Sequence, residues 1–210
     1  MHSNHLSQTL AFIADFYNGC KFGCEGVEGF RKSTDLQKFA HCILDLQHHG
    51  FLDRRRTSFV DLGCADGRVN VMMSYAVRKS IGIEIDGEIL AEFAPMKTKL
   101  TSKIQEAGLI PPPENIQVFQ GSSLEDETFA RISEKTGVLL GNIDFFYTYI
   151  TLHDLFGEMI VEKAKPGALY MVYGFSKILP RYDGMELLLP DVGSQGIAAL
   201  YKKGLSAGSR

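Results

Sequence analysis

Phe59-Val60-Asp61-Leu62-Gly63-Cys64-Ala65-Asp66-Gly67-Arg68 is an apolar strand that runs into a small-residue turn. The turn opens a helix whose apolar face is Val69, Met72, Met73 and Ala76. A short apolar run bounded by glycines and followed by helical periodicity is a βα unit. Small residues at such a turn let backbone N–H groups come close to a ligand at the carboxyl edge of a sheet. A dinucleotide fingerprint, Gly-x-Gly-x-x-Gly, is not met. Ala65 takes the middle glycine's place and no third glycine follows at the required offset, which disfavours pyrophosphate.

The same alternation continues downstream. Ile81-Gly82-Ile83-Glu84-Ile85 is a second strand, ending on an acidic side chain able to accept hydrogen bonds from both hydroxyls of a ribose. A helix from about Gly87 should be kinked or divided by Pro95. Pro111-Pro112-Pro113 marks a connector before the strand Ile116-Gln117-Val118-Phe119. Ser123, three residues before Asp126, predicts a capping-box-like helix start. An aromatic strand over 143–149 precedes a helix with Leu152, Leu155, Phe156, Met159 and Ile160 on one face. Lys165-Pro166-Gly167 closes that helix ahead of a strand over 168–173, and two apolar runs at 185–189 and 197–201 predict a terminal hairpin. The expectation is an α/β fold: a mainly parallel seven-stranded sheet with helices on both faces and an antiparallel hairpin at its end.

Residues 1–56 read differently, as a helical cap on the core at 57–204, with 205–210 a tail. In the best helix, Thr34 is placed to cap the N-terminus, with Gln37 in the reciprocal position and Leu36, Phe39, Ala40 and Ile43 at helical spacing. Gly19, Gly23, Gly26 and Gly29 punctuate the stretch before it, which looks like a loop folded over something.

Composition narrows the class. In 210 residues, 45% are hydrophobic and 22% charged, the profile of a packed globular domain, and the net charge of -3 gives no global attraction to a phosphate backbone. Arg54-Arg55-Arg56 is the densest basic cluster; it reads as a solvated turn, or else as a contact for RNA or an acidic partner. No stretch approaches the roughly 20 apolar residues of a membrane helix. The first residues lack the pattern of a signal peptide, so a cytoplasmic location with free thiols is expected. Cys20 and Cys24 are tightly spaced, but Val27 stands where a cluster-binding radical enzyme would need a third cysteine, so no metal is expected. A zinc site would need His41 or Cys42 to converge on the pair.

Taken together, Asp61, Gly63, Ala65 and Gly67, then Glu84, Gln120-Gly121-Ser122-Ser123-Leu124 and Lys165-Pro166-Gly167-Ala168 resemble, in order, the motifs of the seven-strand, Rossmann-like class I methyltransferases that use S-adenosylmethionine. The likeness spans about residues 57–175. It implies that Gly63, Cys64 and Ala65 lie along the methionine part of the cofactor and Glu84 on the ribose, with Asp61, Gly67 and Ile85 also among the cofactor-binding residues. Ser122 would meet the adenine amine, with Ser123 capping the next helix. Ala65 departs from the family glycine and is accommodated if its φ is negative. A narrower likeness is to the small protein-lysine methyltransferases of the ATP synthase c-subunit type, although Tyr149-Ile150-Thr151-Leu152 lacks their proline.

The resemblance further implies S-adenosyl-L-methionine as cofactor, S-adenosyl-L-homocysteine as product, and in-line transfer to an acceptor near the end of the fourth strand. That acceptor is a protein lysine or a small molecule. Nucleic acid is disfavoured because Tyr147-Thr148-Tyr149-Ile150 replaces the Asn/Asp-Pro-Pro-aromatic motif of N6-adenine enzymes. Tyr147 and Tyr149 face one side of a strand and are candidates for the acceptor site or for core packing. His153 is a candidate base, or a capping or surface residue. A catalytically inactive cofactor-binding partner protein and a nucleotide-dependent oxidoreductase are the alternatives.

Overall fold

The computed structural model describes residues 2–23, 33–175 and 178–205. Strands β1 (Ser58–Leu62), β2 (Lys79–Glu84), β3 (Ile116–Gln120), β4 (Phe145–Tyr149), β5 (Leu169–Tyr173), β6 (Met185–Leu189) and β7 (Ala198–Lys203) form a seven-stranded sheet in the order β3-β2-β1-β4-β5-β7-β6. The first five strands pair in parallel, whereas β7 runs antiparallel between β5 and β6. This is the expected fold class, hairpin included. The strand order reverses between β1 and β4, so the carboxyl ends of β1, β2 and β4 diverge around a crevice, the place where open α/β sheets bind ligands.

Side-chain alternation along the strands builds two cores. Phe59, Phe145, Tyr147, Met171, Tyr173 and Leu200 point to one face, and Val60, Ile83, Phe146, Tyr170, Val172 and Tyr201 to the other. Helices α6 (Asp126–Thr136) and α7 (His153–Lys163) cover the second face through Phe129, Ile132, Met159 and Ile160. The first face is covered by α1 (His2–Asn18), α2 (Leu36–His48), α3 (Arg68–Met73) and α5 (Phe93–Glu106). Burying Leu36, Phe39, Ile43 and Leu46 of α2 is worth roughly 1.5–3 kcal/mol per large side chain, an upper bound. The N-terminal helices are therefore one layer of the sandwich.

Local starts and stops differ from the sequence reading in three places. Asp35, not Thr34, caps α2, its carboxylate accepting from the amides of Gln37 and Lys38; Thr34 turns inward, its hydroxyl 2.6 Å from that of Tyr147. Glu125, not Ser123, is the N-cap of α6, without a side-chain hydrogen bond. The expected division near Pro95 falls at Glu92, between α4 (Gly87–Ala91) and α5. Pro95 sits in the first turn of α5, where its missing N–H costs nothing. Among the described residues, no helix is long and apolar enough to cross a membrane.

The amino ends of the central strands are tied by Asp144. It accepts from the amide and hydroxyl of Ser58, at 2.7 and 2.8 Å, and pairs with Lys165. Burial opposes its charge, but the Lys165 and Ser58 hydrogen bonds outweigh this and hold the carboxyl below its usual 3.8. A depressed carboxylate pKa contributes stability that is present above the unfolded value and lost as pH falls through the folded one. Asp144→Asn is expected to flatten the acid limb of the stability curve below about pH 4. Urea titrations across that range check this, and an unchanged acid limb would contradict it.

Candidate functional site

The first turn is bound tightly to the neighbouring strand. Gly63 and Cys64 both donate their amides to the Ile83 carbonyl, at 2.9 and 2.8 Å, and Ala65 donates to Glu84 Oε2 at 2.9 Å. The amides that the sequence suggested for a ligand are thus spent within the protein. Gly63 and Gly67 take left-handed backbone, φ 104° and 73°, and a Cβ on Gly67 would lie 2.5 Å from the Phe93 ring. Ala65 also has positive φ, 49°, contrary to the expected negative value. A methyl there is carried at a cost that glycine avoids.

Two cavities meet at this turn. The larger, about 260 Å³, is walled by Gly63, Ala65, Glu84, Ser122, Thr148 and Tyr149. The smaller, about 50 Å³, is reached past Tyr149 and contains Asp61, Cys64, Tyr147, Thr34 and Arg68 in its walls. Asp61 is 2% exposed, and its Oδ1 has no hydrogen-bond partner. Burial, then the charges of Glu84 and Asp66, push its carboxyl well above the usual range. Burial, then the charge of Asp61, likewise raises the Cys64 thiol, so this cysteine is held protonated. Glu84 uses Oε2 for Ala65 and Oε1 for the amide of Asp86 at 3.0 Å, leaving each oxygen one further lone pair for a ligand.

Ile85, Ser122 and Ser123 also line the larger cavity, Ile85 with 70% of its surface exposed. The Ser122 hydroxyl accepts from the Leu124 amide. Gly67 lies one step behind, at the start of α3. Tyr147 is buried with its hydroxyl on Thr34; burial and Asp61 raise its pKa. Tyr149 lines both cavities. His153 is not brought among them: its Nδ1 is 2.8 Å from the Tyr182 hydroxyl, and its carbonyl accepts from Tyr170. Cys20 donates to the Phe16 carbonyl, Cys24 lies outside the described residues, and no cluster of three metal-binding side chains exists among those described.

Sequence reasoning missed Thr34, Phe22 and Arg68 as walls of the site. Arg68 follows the glycine turn directly, but beyond Asp66 its partners, Tyr17, Cys20 and Ser33, are remote in the chain. Thr148, at the end of the fourth strand where the acceptor was expected, donates its hydroxyl to the carbonyls of Leu62 and Tyr149.

No family model matches this chain, and no curated protein matches it. Solved structures do. An RNA methyltransferase from Salinibacter ruber, crystallised with S-adenosyl-L-homocysteine, is 14% identical over 86% of this chain and 98% of its own, with a TM-score of 0.52. A tRNA methyltransferase from Aquifex aeolicus is 10% identical over 95% of this chain and 76% of its own, TM-score 0.54. A putative methylase from Haemophilus influenzae is 18% identical over 78% and 88%, TM-score 0.50. The likeness is one of fold: the chain has the class I methyltransferase fold.

Relief of the strain at Ala65 gives a direct check on the turn. Ala65→Gly should stabilise the protein by up to about 1 kcal/mol, raising Tm by roughly 2–4 °C. A lower melting temperature in scanning calorimetry would contradict the left-handed assignment.

Proposed function

We propose that the chain is an S-adenosylmethionine-dependent methyltransferase whose acceptor is a protein side chain or a small molecule. The observation that carries this reading is the unpartnered, buried carboxylate oxygen of Asp61, a wall residue of the smaller cavity, which meets the larger cavity walled by Glu84. An orphaned carboxylate needs a donor, preferably a cationic one. A crevice with spent amides and carboxylates on two sides repels a pyrophosphate and suits a ligand bearing an ammonium, a sulfonium and a ribose. The residues fit the cofactor on these grounds: Asp61 toward the ammonium, Glu84 toward the ribose hydroxyls, Ile85 and Ser122 beside the base. The same logic counts against the oxidoreductase alternative.

When bound, the cofactor supplies an electrophilic methyl group, transferred in line to a nucleophile with loss of S-adenosylhomocysteine. The protein's part is orientation and exclusion of water. Tyr149 lies where the two cavities meet and is the side chain best placed to border an acceptor. Thr148 holds the backbone around it. Tyr147 is assigned to positioning through Thr34, and His153, turned to Tyr182, is given no role as a base.

Charge supports an acceptor without phosphates. Arg68 is the cation among the described residues of the two cavity walls, and Asp66 neutralises it at 2.8 Å. Arg54, Arg55 and Arg56 precede the amino end of β1, while the crevice lies at its carboxyl end, roughly 17 Å away for a five-residue strand.

Calorimetric titration with S-adenosylmethionine, S-adenosylhomocysteine and NAD tests the cofactor. Both adenosyl ligands should bind and NAD should not; binding of NAD alone, or of nothing, would remove the reading. Glu84→Ala should weaken binding roughly 10- to 150-fold, for about 1.5–3 kcal/mol of charge-assisted hydrogen bonding. Labelled methyl transfer to protein, small-amine and RNA panels then separates an enzyme from an inactive binder.

Asp61 adds a pH signature. Its raised carboxyl must lose a proton to pair with a cation, so affinity should tighten as pH rises through that pKa. Asp61→Asn should bind more weakly and lose this dependence; equal pH profiles for the two proteins would contradict the ammonium assignment.

A further inference from the structure

Arg68 makes more contacts than its place beside the turn requires. It is 3% exposed, and its guanidinium grips both oxygens of buried Asp66, Nε at 2.8 Å and Nη2 at 2.9 Å. Its remaining N–H groups reach across to the N-terminal segment. Nη1 donates to the Tyr17 carbonyl and to the Ser33 hydroxyl, and Nη2 donates to the Cys20 carbonyl, each at 3.3 Å. The guanidinium carbon lies 5.4 Å from the centre of the Tyr17 ring and 4.9 Å from that of Phe22. Arginine alone combines a planar fork with a face that stacks on aromatic rings.

The segment held this way is a wall of the crevice. Phe22 is buried and borders both cavities at the turn, and it also borders a third cavity lined by Asn18, Lys21 and Asp35. The next residue is fixed from the other side: the Gly23 amide donates to Glu92 Oε1 at 2.9 Å. Asp66 and Arg68 belong to the turn that the cofactor reading places against the ligand, so the turn and the Phe22 wall are connected through one side chain.

We infer that Arg68 is a positioning residue that couples the cofactor turn to Phe22, so that ligand binding and the seating of residues 17–23 stabilise one another. The inference rests on the cofactor reading above. It requires no contact between Arg68 and the ligand: the guanidinium acts through the ring it supports. Lysine keeps the charge opposite Asp66 but loses the fork and the stacking face, so Arg68→Lys isolates the coupling from the buried ion pair.

The experiment is a double-mutant cycle with S-adenosylhomocysteine as probe, on wild type, Arg68→Lys, Phe22→Ala and the double variant, with amide hydrogen exchange of residues 17–23 measured with and without the probe. Each single variant should raise Kd about tenfold, and the double variant should bind no more weakly than the weaker single one, since both changes break the same connection. The probe should slow exchange at 17–23 in wild type and leave it unchanged in both singles. A staple with only a structural role would lower Tm without this non-additive loss of affinity. Independent, multiplying effects on Kd, or wild-type affinity in Arg68→Lys, would overturn the coupling while leaving the cofactor assignment intact. Absence of probe binding to wild type would overturn both.

Discussion

A carboxylate buried beside two others, with one oxygen left unpaired, is a costly arrangement for a folded chain. Asp61 occupies it because β1 lies at the centre of the sheet and delivers its penultimate residue to the point where the strand order reverses. Register places Asp61 beside Tyr147 of β4 and Gly82 of β2, and the absence of a side chain on Gly82 leaves room for Cys64 and Asn70. The amides of the following turn are consumed by β2, so the cost is not relieved from within. Under the proposed function, an electropositive group arriving from outside relieves it, so that a side chain costly to the free protein becomes a determinant of binding.

Much of this was readable in the amino-acid order. Alternating apolar runs specify the strands, and Asp61 and Glu84, one βα unit apart, mark the carboxyl edge. What was not readable depended on distance in the chain or on backbone sign. An alanine in the third turn position says nothing about whether its φ is positive; here φ is 49° and the amide donates to Glu84, a partner in the next strand. Thr34 and Asp35 are both good caps by composition. Asp35 takes the helix because the Thr34 hydroxyl has a buried phenol waiting for it in β4. His153 opens a helix near the crevice in sequence, yet Tyr182, from the strand-linking segment, claims its ring.

The helical N-terminus was read as a cap; its packing makes it a layer of the core. Leu10, Ile13, Phe39 and Ile43 share one core with the sheet residues Phe59, Phe145 and Met171. Asp45 accepts from the Gly193 amide, and Cys42 donates to the Val192 carbonyl, so α2 is also bound to the loop between β6 and β7. Parallel strands need both faces covered, and these helices supply that cover.

The segments that join these helices carry Phe22, Ser33 and Thr34, three walls of the crevice. Residues that shape the crevice are therefore neighbours of residues that hold the sheet. In such an architecture ligand preference does not drift freely under mutation: a change that enlarges the chamber at Thr34 also strips a buried tyrosine hydroxyl of its partner. New specificities must be accompanied by compensating gains in stability elsewhere, and the evolutionary history of this crevice should be recorded as paired substitutions at the segment preceding α2 and at β4.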